Sequence, residues 1–194
     1  MYTNRIKNID AKLLSNDKYN LKKVTFDYKL NNGNWVTKSR EVYNRGDGAS
    51  IMLYNSAKKT IILVKQFRLP TYFNGNSTGF LIEVCAGMLD KDNPVDCIIR
   101  ETEEEVGYRV KDVKKIYEAY TSPGVMTEKM HFFIAAYTDD MQVSAGGGLE
   151  SEHEDIEVLE IPFNQAKKMI ETGEIKDMRT ILLIQYVIIN SLLI

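Results

Sequence analysis

The sequence predicts an α+β fold, with strands dominating the front of the chain and helices the back. Three observations predict it. The first third alternates polar and apolar residues with a period near two. Residues 92–107 carry the cap, body and stop of a helix in the right order. The chain then closes on two segments with helical apolar spacing, 163–171 and about 179–193.

Taken in order, residues 21–30 read as a strand, Asn31-Asn32-Gly33-Asn34 as a tight turn and 35–43 as the return strand. Arg45-Gly46-Asp47-Gly48 punctuates the chain. Strands follow at 50–54 and 60–66, joined by a polar turn, and 72–79 (YFNGNSTG) reads as a loop. A short strand at 80–85 leads to the helix, which Asp92 or Asn93 can cap, Pro94 can open and Gly107 can end. Further strands are expected at 113–119, 129–137 and 155–161, with a long polar loop over 139–153 containing Gly146-Gly147-Gly148. Two parts emerge: a small antiparallel β appendage over 1–45 and a main domain over 46–194.

Composition narrows the function. With 44% hydrophobic residues, the 194-residue chain can bury a real core. A formal net charge of −2 lacks the basic excess of an electrostatic nucleic-acid binder. Cys85 and Cys97 form no metal-ligand spacing and read as reduced core thiols of a cytoplasmic protein. The N-terminus has no apolar stretch of the signal-peptide kind. The apolar C-terminal run of 15 residues, interrupted by Gln185, Asn190 and Ser191, is short of the ~20 that span a bilayer. A packing helix is expected there, and no membrane partner.

The chemistry concentrates in Arg100-Glu101-Thr102-Glu103-Glu104-Glu105-Val106-Gly107. On a helix Glu101, Glu104 and Glu105 stand at i, i+3 and i+4 and share one face, where like charges cost roughly 0.2–0.5 kcal/mol per pair. A solvated charged face is the plain alternative. Hard divalent cations prefer such carboxylate oxygens, and Mg²⁺ is the usual partner of phosphate oxygens. Arg100 can pair with a neighbouring carboxylate and fix its rotamer.

With its flanks, the stretch resembles the signature of the Nudix hydrolases, G-x5-E-x7-R-E-U-x-E-E-x-G-U, where U is apolar. Thr102 stands at an apolar position, and in the first half either the loop after Gly87 is one residue short or Asp92 stands where the family has glutamate and Ala86 where it has glycine. Ser122-Pro123-Gly124 resembles the ADP-ribose and nucleotide-sugar branch. Segments between residues 39 and 177, among them KQFRLPTY, NGNSTGFLIEVCAG, SPGVMTE and EDIEVLE, resemble the bacterial GDP-mannose hydrolase type.

The resemblance implies a Nudix α/β/α sandwich with a mixed sheet, the appendage serving dimerisation. It implies Mg²⁺-dependent hydrolysis of a nucleoside diphosphate sugar, with Mn²⁺ a possible substitute, GDP-mannose the favoured substrate and a homodimer the expected form. Glu101 and Glu105 match metal ligands, with Glu104 as a supporting or water-orienting group. Ala86 matches a position whose carbonyl is a ligand, and Gly87 and Met88 continue that contact. A fourth ligand and candidate general base comes from the acidic loop, at Glu154 with Glu152 competing. Arg68 matches a substrate-contacting arginine, and a guanidinium suits phosphate. Ser39, Arg40 and Glu41 match a segment that reaches a partner subunit's nucleotide, and Lys18 another nucleotide contact. Glu128 matches a contact near the sugar or metal cluster, and Arg179 a basic residue for the phosphate or sugar end. His153, in the acidic loop, is a further candidate, whereas His131 in MHFFIAAY reads as structural. Two other functions stay open: the same chemistry on ADP-ribose or an ADP-sugar, and a non-catalytic nucleotide-binding module.

Overall fold

The computed structural model describes residues 4–90 and 92–193, with the side chain of Glu152 outside the description. The chain packs as two compact units. One holds the residues up to 47 together with 119–130, and the other holds 48–118 together with 131–194.

The first unit is built on an antiparallel sheet of three strands in the order β1 (Ile6–Asn16), β2 (Asn20–Lys29), β3 (Trp35–Asn44). β2 and β3 form the expected hairpin, closed at Lys29↔Trp35 with Gly33 at φ 88° in the turn. β1 was not expected, and it makes a three-stranded sheet of what reads in sequence as a two-stranded ribbon. The reason is physical: every residue of β1 is exposed, so no face is buried to impose a two-residue period, and irregularities at Lys7/Asp10 and Leu13/Ser15 break what remains. Residues 119–130 join this unit through backbone bonds, Tyr43 N–H to the Val125 carbonyl at 2.8 Å and Thr127 N–H to the Tyr43 carbonyl at 3.1 Å.

The second unit carries β4 (Gly48–Asn55), β5 (Thr60–Phe67), α1 (Leu69–Phe73), β6 (Phe80–Glu83), β7 (Cys85–Met88), α2 (Pro94–Val106), β8 (Lys114–Tyr120), β9 (Lys129–Ala136), β10 (Glu157–Pro162), α3 (Phe163–Glu171) and α4 (Met178–Ile189). β8 and β9 extend a little past its bounds. The seven strands form one mixed sheet in the order β10-β5-β4-β9-β8, with β6 paired to β5 and β7 to β4. The α+β expectation and the sandwich hold. β4 is buried almost without interruption, as a strand covered on both faces must be. Ala49, Ile51 and Leu53 pack in one core with Cys97, Ile98 and Val106 of α2. By alternation Ser50 and Met52 face the other side, where α4 contributes Leu183, Ile184 and Val187. The loop expected over 72–79 begins inside α1, which Pro70 helps to start.

The break between β6 and β7 places much of the site. At Val84 the strand changes partner from β5 to β4, and its N–H turns to Thr180 Oγ1 at 2.8 Å. Asp177 caps α4, accepting from Thr180 N–H at 2.9 Å and from the Thr180 hydroxyl at 2.7 Å. Thr180→Val keeps the shape and leaves the Val84 N–H buried without a partner. We expect a loss of about 1–3 kcal/mol in urea unfolding; an unchanged midpoint would show that the bond contributes nothing.

The C-terminal run is the packing helix it was expected to be. Among the described residues no helix is long and apolar enough to cross a membrane. Both cysteines are free and buried. Burial pushes the Cys97 thiol up to about 11 and the Cys85 thiol well above its ordinary value, so both stay protonated.

Candidate active site

Asn93, one of the two expected caps, starts α2 by accepting from the N–H groups of Val95 and Asp96 at 3.0 and 3.1 Å. Gly107 ends it in the left-handed conformation at φ 77°. Between these ends the helix turns Cys97, Ile98, Thr102, Glu105 and Val106 inward. Thr102 is fully buried and gives its hydroxyl to the Ile98 carbonyl at 2.6 Å, which satisfies a polar group at an apolar position of the signature.

The three helical glutamates differ in depth. Glu105 is buried, and its Oε2 accepts the Ala86 N–H at 3.1 Å. Glu101 and Glu104 are partly exposed, and both are ion-paired to Arg100, at 3.0 and 2.8 Å. Arg100 also lies 3.6 Å from Asp92, so the aspartate at the signature's first acidic position joins the same cluster. Gly87 lies against Glu101, where a Cβ would overlap the carboxyl group.

The loop that carries Glu154 is held on the C-terminal end of α2. Gly147 N–H bonds to the Glu105 carbonyl at 2.9 Å and Gly148 N–H to the Glu104 carbonyl at 3.1 Å. Gly146, at φ 68°, comes so near the backbone of Glu105 and Val106 that a side chain would collide with it. The glycine run thus permits a close approach of loop to helix. Glu154 Oε2 accepts the Leu149 N–H at 3.1 Å. His153 is exposed and left-handed at φ 56° in the same loop.

These carboxylates act on one another. Burial pushes the Glu105 carboxyl up to about 7; the Cys85 thiol and Ala86 amide oppose that, and the charges of Glu101 and Glu154 add to it. Burial also raises Glu101; Arg100 opposes, while Glu104 and Glu154 push it higher. Arg100 is the one cation ion-paired to this face among the described residues. No three carboxylate, imidazole or thiol groups among them form a ready-made cation cage. The donor set is nonetheless all oxygen, with negative charge left over, which fits a hard divalent cation.

Arg68 and Arg179, far apart in sequence, meet on a residue that sequence reading passed over. Glu83, 2% exposed, takes Arg68 Nε and Nη2 at 3.0 and 2.7 Å and Arg179 Nη2 at 3.1 Å. A lone glutamate in the apolar run Phe80-Leu81-Ile82-Glu83-Val84 was its only signal. A hollow of about 650 Å³ lined by Tyr54, Arg109 and Lys111 includes none of these carboxylates, so the chemistry places the site elsewhere.

Five predicted residues belong to the first unit. Lys18 is exposed beside Tyr19, with its Nζ 5.7 Å from the ring centroid. Ser39, Arg40 and Glu41 are exposed on β3, paired to Thr25, Val24 and Lys23. Glu128 is buried; it accepts the Thr121 hydroxyl at 2.6 Å and lies 3.3 Å from Arg45. In the second unit, His131 is buried with Nδ1 3.3 Å from Glu118.

Comparison with known proteins bears on the whole chain. The model of the NUDIX domain matches residues 44–181. The chain belongs to the Nudix family. As a Nudix hydrolase it is an enzyme, as expected, which leaves the alternative of a non-catalytic module aside. A second model, the GDP-mannose pyrophosphatase NudK N-terminal domain, matches residues 5–43. Proteins described as GDP-mannose pyrophosphatase from Shigella dysenteriae serotype 1 (strain Sd197) and Escherichia coli O157:H7 are each 50% identical over 191 residues, covering 98% of this chain and 99% of the relative. The solved crystal structure of an ADP compounds hydrolase matches with a TM-score of 0.68 at 17% identity, covering 93% of this chain and 91% of its own, and shows the same fold.

Proposed function

We propose that this Nudix hydrolase cuts the pyrophosphate bond of a nucleoside diphosphate sugar, GDP-mannose, to GMP and mannose 1-phosphate with Mg²⁺ or Mn²⁺. One observation carries the reading: a buried, backbone-anchored Glu105 shares a face with Glu101 and Glu104, in a chain half identical along its length to proteins described as GDP-mannose pyrophosphatase. Glu101, Glu105, Glu154 and the Ala86 carbonyl would hold the cation. The cation would neutralise phosphate charge and lower the pKa of a bound water. Glu104 would orient that water, and Glu154, on its glycine-docked loop, would take its proton. Gly87 and Met88 would continue the Ala86 contact with the substrate, and Arg68 and Arg179 would bind its phosphate oxygens. We assign Lys18, Ser39, Arg40 and Glu41 to the nucleotide, Glu128 and His153 to the sugar end, and place the enzyme in the cytoplasm.

The test is a substrate panel with Mg²⁺. GDP-mannose should give GMP and mannose 1-phosphate, and chelation should stop turnover. ADP-ribose turned over tenfold faster would overturn the choice of substrate and favour the ADP-ribose reading.

We also propose that residues 1–45 serve a homodimer and 46–194 the hydrolase domain. β1 is an edge strand whose Ile6, Ile9, Leu13 and Leu14 are 44–66% exposed, apolar surface that a partner would cover. Sedimentation at micromolar concentration should report twice the chain mass, and a monomer there contradicts the proposal.

A further inference from the structure

Three distant parts of the second unit converge on Glu83, at the end of β6. Arg68 follows β5 and binds Glu83 Oε2 through Nε and Nη2 at 3.0 and 2.7 Å. Arg179, in the first turn of α4, binds Glu83 Oε1 through Nη2 at 3.1 Å and Asp177 through Nε at 3.1 Å. Each guanidinium is held by the same edge, Nε with Nη2. Neither Nη1 group has a protein partner among the described residues, and neither is sealed in the interior without one. Of the two side chains, Arg68 is 37% exposed and Arg179 17%.

Stability alone does not account for this arrangement. Burying a carboxylate with two guanidiniums carries a desolvation cost that the attraction only roughly offsets, and apolar residues of similar volume serve a core as well or better. What the arrangement supplies is rigidity: two planar donors fixed beside each other, each with one free amino group. Glu83 lies three residues before Ala86, across the break at Val84, a span of at most about 10 Å of chain.

We propose that Glu83 is a positioning residue. It pins Arg68 and Arg179 so that their Nη1 groups form a cradle for phosphate oxygens of the substrate. The inference rests on the nucleotide-sugar reading and deepens it, because it assigns the geometry of anion recognition to a buried residue that touches no substrate atom.

The experiment compares the unaltered enzyme with Glu83→Gln, which keeps the shape and loses the charge that aligns two cations. KM for GDP-mannose should rise about tenfold or more while kcat stays within about threefold, the pattern of lost binding. Leu183→Ala, a buried packing change in α4, controls for a structural effect: its melting point should fall and its KM should hold. Equal KM in Glu83→Gln and the unaltered enzyme overturns the proposal, as does an equal KM rise in Leu183→Ala. Should Glu83→Gln fail to fold, Arg68→Lys and Arg179→Lys carry the test, since lysine cannot reproduce the two-edged geometry. Each should raise KM about tenfold with kcat held, and unchanged KM in both overturns the cradle. Titration of inorganic pyrophosphate into metal-free protein separates the two ideas. If GDP-mannose is not hydrolysed but Glu83→Gln, or the lysine variants, still bind pyrophosphate about tenfold more weakly, the substrate falls and the cradle stands. If they bind it as the unaltered chain does, the cradle falls.

Discussion

Glu105→Gln should lower kcat on GDP-mannose with Mg²⁺ by on the order of 10³-fold or more while the protein stays folded. Glutamine fits the same space and can still accept the Ala86 N–H that Glu105 takes at 3.1 Å. It cannot supply a negative oxygen, and its amide presents N–H groups where a cation needs a ligand. The deepest of the helical carboxylates is thereby lost without a packing defect, so activity and stability separate. A fall of less than about tenfold would remove Glu105 from the proposed metal site.

The same substitution should stabilise the metal-free protein, and the sign can be worked out. The Glu105 carboxyl is pushed up to about 7 in the fold, mainly by burial, from an ordinary value of 4.5. Between these values the unfolded chain gives up a proton that the folded chain keeps. Folding therefore loses stability as pH rises from about 4.5 to about 7, and above that the loss is complete, on the order of 3 kcal/mol. Glu105→Gln has no such proton. With a chelator present at pH 8 it should melt higher than the unaltered protein by on the order of 5–10 °C, and near pH 4.5 the gap should close. Added Mg²⁺ should narrow the gap at pH 8 by stabilising only the unaltered protein. Equal melting points at pH 8 would mean that Glu105 is not held as a destabilised carboxylate.

What could be read in the chain was what lies close together along it. The α2 face needs only the spacing of Glu101, Glu104 and Glu105, and its ends need only Asn93 and Gly107, all within one short segment. α4 was likewise legible from its own apolar spacing. The features that escaped depend on distant residues or on faces that bury nothing. β1 is exposed on both faces, so it lacks the alternation that marks a half-buried strand. Glu83 matters through Arg68 and Arg179, and nothing in its own neighbourhood announces either. Residues 119–130 pair with the end of β3, a match no local pattern encodes. Gly146-Gly147-Gly148 was visible as a run, but its purpose, a close approach to the end of α2, shows only when the two are seen together.

Gly87 follows the same logic, and its substitution carries the second large effect. It lies on β7, paired with Ala49 of β4, and is absent from the glycines with positive φ, so alanine suits its backbone. The added Cβ would nevertheless overlap Cγ, Cδ and Oε1 of Glu101, far inside contact distance. Those atoms are the free end of a flexible side chain, so they can swing aside, and the cost to folding should be about 1 kcal/mol. The cost to the site is larger, because the displaced carboxylate leaves both the shared acidic face and its 3.0 Å bond to Arg100. Misplacing a reacting group's support by about 1 Å can cost on the order of 10²-fold, and we expect Gly87→Ala to lower kcat/KM by that amount while shifting the melting point by only a few degrees. More Mg²⁺ should be needed for half-maximal activity. The mechanism makes a sharper demand on the double variant. Once Glu101→Ala has removed the obstructing side chain, Gly87→Ala has nothing left to displace and should cost almost nothing further. If the two losses instead multiply, the glycine acts on the site by a route other than Glu101.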